Sequence, residues 1–284
     1  MRPKSVVASG LAGLGLLVLF QGYAFLPGRP GAAEEPPLVR IEAARVEYRS
    51  PGEFRSGGTP VNGPLVGIAA ERPFEIMQRQ VTRGEYQACV AAAACRPLAG
   101  PGEPELPLVG VSWLDAADYA AWLSRETGRS YRLPSDREWA LAAGSRYRDD
   151  VYTEVSDPAD PAKRWLASYE AMAADREPLE SRPRPVGGFG RNEHGLLDLA
   201  GNVWEWTSTC FVRFRSDPET GAVSAHENCG VRIAQGRHRA YMTDFIRDPK
   251  AGACSVGVPP ANLGLRLVRE ASGPLGRLRA RLGA

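Results

Sequence analysis

The chain has 284 residues, enough for one large domain or two small ones with a proper hydrophobic core, which excludes a minimal disulfide scaffold. A hydrophobic share of 43% and a charged share of 24% argue against wholesale disorder and against a polytopic membrane protein. A formal net charge of +2 leaves no bulk electrostatic case for nucleic acid, and 31 glycines with 24 prolines point to a loop-rich fold.

At the amino end, Arg2 and Lys4 precede an uncharged run from Ser5 to Pro27, and the small residues Gly31, Ala32 and Ala33 precede Glu34. Residues 1–33 read as a secretory signal cut after Ala33 or, since roughly 20 apolar residues span a bilayer, as an uncleaved anchor. A buried amino-terminal helix is the third reading, weakened by Gly10, Gly13, Gly15 and Gly22. Export places the body in the periplasm or another extracytoplasmic compartment, with the anchor as the expected tie to membrane. All five cysteines lie beyond this segment, and an oxidising compartment pairs most of them. Cys89 with Cys95 and Cys210 with Cys229 are the pairs suggested by proximity, leaving Cys254 over. The histidines, His194, His226 and His238, are scattered and no CxxC is present, so zinc spacing is absent.

Weak alternation from about Leu38 to Phe54 predicts a first strand, followed by a loop over RSGGTPVNGP. Three helix starts share one grammar: Thr82 with Glu85, Ser112 with Asp115, and Ser135 with Glu138, each a hydroxyl residue three positions before an acid. The second helix is predicted from Ser112 to Thr127, burying Trp113, Ala117, Ala120, Ala121 and Leu123 and stopped by Gly128; the third begins after Pro134 and stops near Gly144. Arg148 to Pro185 reads as a surface excursion with one short helix around Trp165 to Met172. From Val203 to Thr207 the alternation puts Trp204 and Trp206 on one face and Glu205 on the other. On the residues alone this is either two core tryptophans with a solvated acid, or a point at which the surrounding Asn192, Gly195, Gly201 and Asn202 turns aim several carbonyls. VRIAQGR and LGLRLVRE are predicted closing strands, and residues 271–284 form a basic tail.

Together, PFEIMQRQVTRGEYQACV, LPLVGVSWLDAADYAAWLSRETGRSYRLPSDREWALAA, NEHGLLDLAGNVWEWT and NLGLRLVRE resemble the formylglycine-generating enzyme (sulfatase-modifying factor) family, in that family's order. The resemblance implies an α+β, loop-rich C-type-lectin-like fold over residues 38–270. It also implies a calcium site at Asp198, the carbonyls of Gly201 and Val203, and Glu205, hard oxygen ligands suited to that ion. A carboxylate satisfied by amides with no metal is the competing reading of Glu205.

Formylglycine formation in the family uses a pair of cysteines that binds copper and activates oxygen, the first just after a GGSY-like turn. This chain has GRHRAYMTDFIRD there, with no cysteine between Gly236 and Asp248. The aromatic and glycine signature that usually follows the third helix is replaced by RYRDDVYTEV. The resemblance is therefore to branches lacking the pair, one akin to a siderophore-maturation enzyme and another encoded beside copper nitrite reductase. The segment of the family's active-site floor carries His238, Arg239, Tyr241, Asp244 and Arg247. His238, Tyr241 and Asp244, with Cys254 folded back, are the candidate catalytic residues, for proton transfer or for a redox metal whose identity the sequence leaves open. Loop residues beneath a binding groove are the alternative. Two functions follow: an exported accessory enzyme that modifies or matures a periplasmic protein or peptide partner, such as a copper nitrite reductase, or a lectin-like binding module without catalysis.

Overall fold

The computed structural model describes residues 33–149, 182–249 and 262–271, with Lys163, Leu166 and Glu170 between them. The amino-terminal segment up to residue 32, most of the predicted helix around Trp165 to Met172, Cys254 and the basic tail beyond residue 271 lie outside the described residues. Among the described residues no helix is long and apolar enough to cross a membrane.

Three helices begin where the hydroxyl-to-acid spacing places them. In α1 (Arg83–Ala91), α2 (Trp113–Thr127) and α3 (Asp136–Ala143), the Thr82, Ser112 and Ser135 hydroxyls accept from the backbone N–H of Glu85, Asp115 and Glu138. Those acids accept in return from the cap residues' own N–H groups. Each reciprocal cap satisfies two otherwise orphaned donors and contributes about 1 kcal/mol. Gly128 ends α2 at φ 65°, a left-handed conformation that glycine adopts without steric penalty.

The face that α2 buries differs from the expected one. Ala116, Tyr119, Ala120, Trp122 and Leu123 are buried, whereas Trp113 and Ala117 are half-buried and Ala121 is exposed. The large rings of Tyr119 and Trp122, with far more apolar area than an alanine, set the phase of the helix against the core.

The first sheet joins the chain's beginning, middle and end. Strand β1 (Leu38–Ile41) lies antiparallel to β6 (Phe74–Met77), which is followed by β12 (Val268–Arg269) and β7 (Tyr131–Arg132). A two-stranded ribbon pairs β2 (Arg45–Arg49) with β5 (Leu65–Ala69). The RSGGTPVNGP segment, expected as a loop, instead forms a hairpin of β3 (Glu53–Ser56) and β4 (Thr59–Val61), turning through Gly57 and Gly58 at φ 56° and 89°. It becomes strand because β3 lies parallel to the far end of β8 (Trp204–Ser216), with Glu53 opposite Arg213. The larger sheet continues from β8 to β9 (Val223–Gln235) and β10 (Arg239–Thr243), while the short β11 (Leu263–Gly264) runs parallel to the start of β8.

Among the described residues, two apolar clusters form the core. One packs α1 and α2 against Trp204, Trp206, Ala234, Met242 and the leucines of the terminal segment. The other packs α3 against Ile41, Tyr48, Ile76, Leu196 and Leu199. Disulfides join Cys89 to Cys95 and Cys210 to Cys229, as proximity suggested, and the second clips β8 to β9 where their register shifts on either side of Cys210.

Candidate functional site

The turn leading into β8 is built from strained backbone. Asp198, Ala200 and Asn202 all have φ near 60°, a region that side chains other than glycine seldom occupy. Several main-chain carbonyls of this turn converge on one point. Those of Asp198, Gly201 and Val203 lie 3.5, 3.4 and 3.4 Å from one atom, Gln80 Nε2, which also donates to Glu205 Oε1 at 2.8 Å.

Strand alternation turns Glu205 away from Trp204 and Trp206, but its side of β8 faces α3 rather than solvent, and the residue is fully buried. Trp139 Nε1 donates to Glu205 Oε2 at 2.7 Å. Arg266 donates through Nε to Oε2 and through Nη2 to Oε1, both at 2.9 Å. The same guanidinium donates to the carbonyls of Met77, Gln78 and Leu197, so a buried cation binds the acid and ties three chain segments together.

The expected calcium ligands are corrected at one member. The Asp198 carboxylate accepts from the N–H groups of Gly187 and Phe189, at 2.6 and 2.8 Å, and its main-chain carbonyl takes the place expected of the side chain. The oxygen set has the hardness calcium prefers, yet an amide nitrogen occupies the point of convergence and Arg266 already cancels the charge of Glu205. The residues as they stand do not fit a divalent ion there.

The residues expected on the active-site floor have separate partners. The His238 ring stands edge-on to Trp204, centroids 5.5 Å apart, with Nδ1 2.8 Å from the Arg239 carbonyl. The Tyr241 hydroxyl accepts from Gly52 N–H at 3.0 Å, and its ring meets Phe211 edge-on. Arg239 is buried in an ion pair with Asp136, which also accepts from Tyr48 and Gln235. Burial, then the neighbouring Asp136 carboxylate, push the Tyr48 phenol far above its ordinary pKa. The main chain of Asp244 accepts from the first N–H of α2, at Trp113, and donates to the carbonyl of Gly230. Arg247 forms a fork with the buried Asp115 at 2.6 and 2.7 Å. Burial alone would raise the Asp115 carboxyl, but hydrogen bonds from Arg247 and Ser112 hold it below the usual carboxylate value.

Sequence reasoning missed Gln80, Trp139 and Arg266 as partners of Glu205, and Asp136 as the partner of Arg239. It also missed Arg232, whose guanidinium lies 3.9 Å from the centre of the Trp113 ring and donates to the Ser208 carbonyl and to Cys210 Sγ. Desolvation lowers the Arg232 pKa despite the nearby Asp244 and Glu227 carboxylates. Among the described residues, Cys210, Glu227 and Cys229 bring metal-ligating atoms within 4.8 Å of one another, but both sulfurs are tied up in the disulfide. Arg266 and Gln80 do lie in quoted motif segments, LGLR and QRQVT, the only signal that could have found them.

Residues 28–271 match the Sulfatase-modifying factor enzyme 1-like domain. The chain belongs to this family. Over 196 residues it is 31% identical to the inactive Cα-formylglycine-generating enzyme 2 of Bos taurus, covering 66% of this chain and 60% of that protein. The Mus musculus protein of the same name is 37% identical over 192 residues, covering 65% of this chain and 58% of its own length. The formylglycine-generating enzyme of Streptomyces coelicolor is 27% identical over 307 residues, covering 85% of this chain and 95% of that one. The chain thus spans about three fifths of the two mammalian relatives. PvdO from Pseudomonas aeruginosa shares the fold, with a TM-score of 0.51 at 22% identity over 86% of this chain and 99% of that one. The architecture is the α+β, loop-rich, C-type-lectin-like fold implied by the sequence motifs. Two disulfides and family membership fit an extracytoplasmic protein.

Proposed function

We propose that this chain is an exported accessory protein that modifies or matures an extracytoplasmic protein or peptide partner without making formylglycine. One observation carries the reading. Four of the five cysteines form two disulfides, and β10, on the segment that the resemblance assigns to the copper-binding pair, contains no cysteine. With a single cysteine left over, the chain cannot supply two free thiolates to one copper ion. A copper nitrite reductase is the partner class implied by the branch resemblance. The engagement of Tyr241 by Gly52, Arg239 by Asp136 and Arg247 by Asp115 supports a second reading, a binding module without catalysis.

Two measurements test these readings. Copper-loaded protein incubated with a peptide carrying the sulfatase motif is expected to leave the peptide mass unchanged, and loss of mass to the aldehyde refutes the proposal. Intact masses of exported proteins are then compared between cells with and without the chain. A mass difference restored by the parent protein supports modification; a partner that co-purifies at unchanged mass supports the binding module.

A further inference from the structure

The oxygen cluster before β8 poses a charge problem. Three carbonyls and a carboxylate oxygen point at one another's neighbourhood in a fully buried site, and such a cluster requires a positive centre. We propose that Gln80 is that centre: its amide nitrogen replaces a metal ion, and the fold of this chain is independent of calcium.

The orientation of the amide supports this assignment. Gln80 Nε2 faces four acceptor oxygens, more than its two protons can serve with full bonds, while Gln80 Oε1 is buried with no hydrogen-bond partner among the described residues. Turning the amide over would place Oε1 against those four oxygens, lone pair against lone pair. Leaving Oε1 unpaired is the smaller penalty, and so the nitrogen stays inside.

Charge counting gives the same answer. Glu205 and Arg266 form a neutral pair with side chains 1% and 0% exposed. A dication added beside that pair would exceed the one carboxylate left to balance it, Asp198, whose oxygens are engaged by the amides of Gly187 and Phe189, and would leave a net positive charge in the core. The partial charge of an amide N–H satisfies the carbonyls at no such cost. Changing Gln80 to Glu reverses the balance: two carboxylates then share one guanidinium, the donor becomes an acceptor, and the cluster needs a hard cation. This inference does not rest on the proposed function.

The test is thermal unfolding of the full chain, as parent, Gln80→Glu and Gln80→Met, each in chelator and in calcium, with metal analysis after dialysis. The parent is expected to melt at the same temperature in both solutions and to retain no calcium. Gln80→Glu is expected to melt lower in chelator and to recover by about 5–10 °C at a hundredfold excess of calcium over its Kd. Gln80→Met, which removes the donor without adding charge, is expected to melt lower in both. Stoichiometric calcium in the parent with a chelator-sensitive melt overturns the proposal, as does a folded Gln80→Glu protein that ignores calcium or a Gln80→Met protein as stable as the parent. If Gln80→Glu does not fold even in calcium, the parent and Gln80→Met still decide the outcome.

Discussion

Replacing Arg266 with Met keeps most of the side chain's apolar volume and removes its charge and donors. Arg266 and Glu205 are both buried, so the substitution strands a carboxylate in the core; removing one partner of a buried pair costs about 3–5 kcal/mol. The carbonyls of Met77, Gln78 and Leu197 also lose a donor, at about 1 kcal/mol each. The total is of the same order as the whole stability of a domain, about 5–15 kcal/mol. Urea unfolding followed by tryptophan fluorescence is a direct assay, since Trp139, Trp204 and Trp206 are all buried beside the cluster. Arg266→Lys, which keeps the charge and loses the planar fork, is expected to fall between parent and Met variant and to remain measurable if the Met variant unfolds. Adding Glu205→Gln removes the stranded charge, so the Arg266→Met, Glu205→Gln double variant is expected to be at least about 2 kcal/mol more stable than the sum of the single losses predicts. A loss below about 1 kcal/mol for Arg266→Met, or strictly additive effects, refutes the claim that the pair is a coupled buried unit.

Three further outcomes follow from the disulfides and from Asp115. Unreduced native protein is expected to take at most one alkyl group per chain by mass spectrometry, and two or more would contradict the pairing. Replacing both cysteines of a bridge by serine is expected to cost about 2 kcal/mol for Cys89–Cys95 and about 3 kcal/mol for Cys210–Cys229, because the second closes the longer loop. The Asp115 carboxyl, held low by Arg247 and Ser112 against the effect of burial, has a folded pKa below its unfolded one. It therefore stabilises the fold above the unfolded value, near pH 4, and that contribution fades as pH falls through the folded value. Arg247→Gln is expected to move the Asp115 titration upward by NMR and to bring acid-side destabilisation to higher pH. An unshifted titration would show that Ser112 alone holds the carboxyl down.

The helices were legible because their signals are local. A cap residue and its acid sit three positions apart, so Thr82, Ser112 and Ser135 announce α1, α2 and α3 without reference to anything distant. The face of α2 was less legible: Ala117 and Ala121 fit an apolar stripe as well as Ala116 and Ala120 do, and the partners of Tyr119 and Trp122 break the tie. The hairpin of β3 and β4 was hidden for a related reason, since a Gly-rich stretch reads as loop until β8 lies alongside it.

By itself the sequence determined the three helix starts, the family motifs, the opposed faces of Trp204, Trp206 and Glu205, and the lack of a thiolate pair on β10. These are set by spacings of a few residues or by the presence of an atom type. Only the tertiary structure decided what meets Glu205. Gln80 is 125 positions away, Trp139 is 66 and Arg266 is 61, and no periodicity links positions so far apart. It also turned the Asp198 carboxylate toward the amides of Gly187 and Phe189 and presented its carbonyl instead, because the left-handed turn fixes where the backbone oxygens point and the side chain takes the donors that remain.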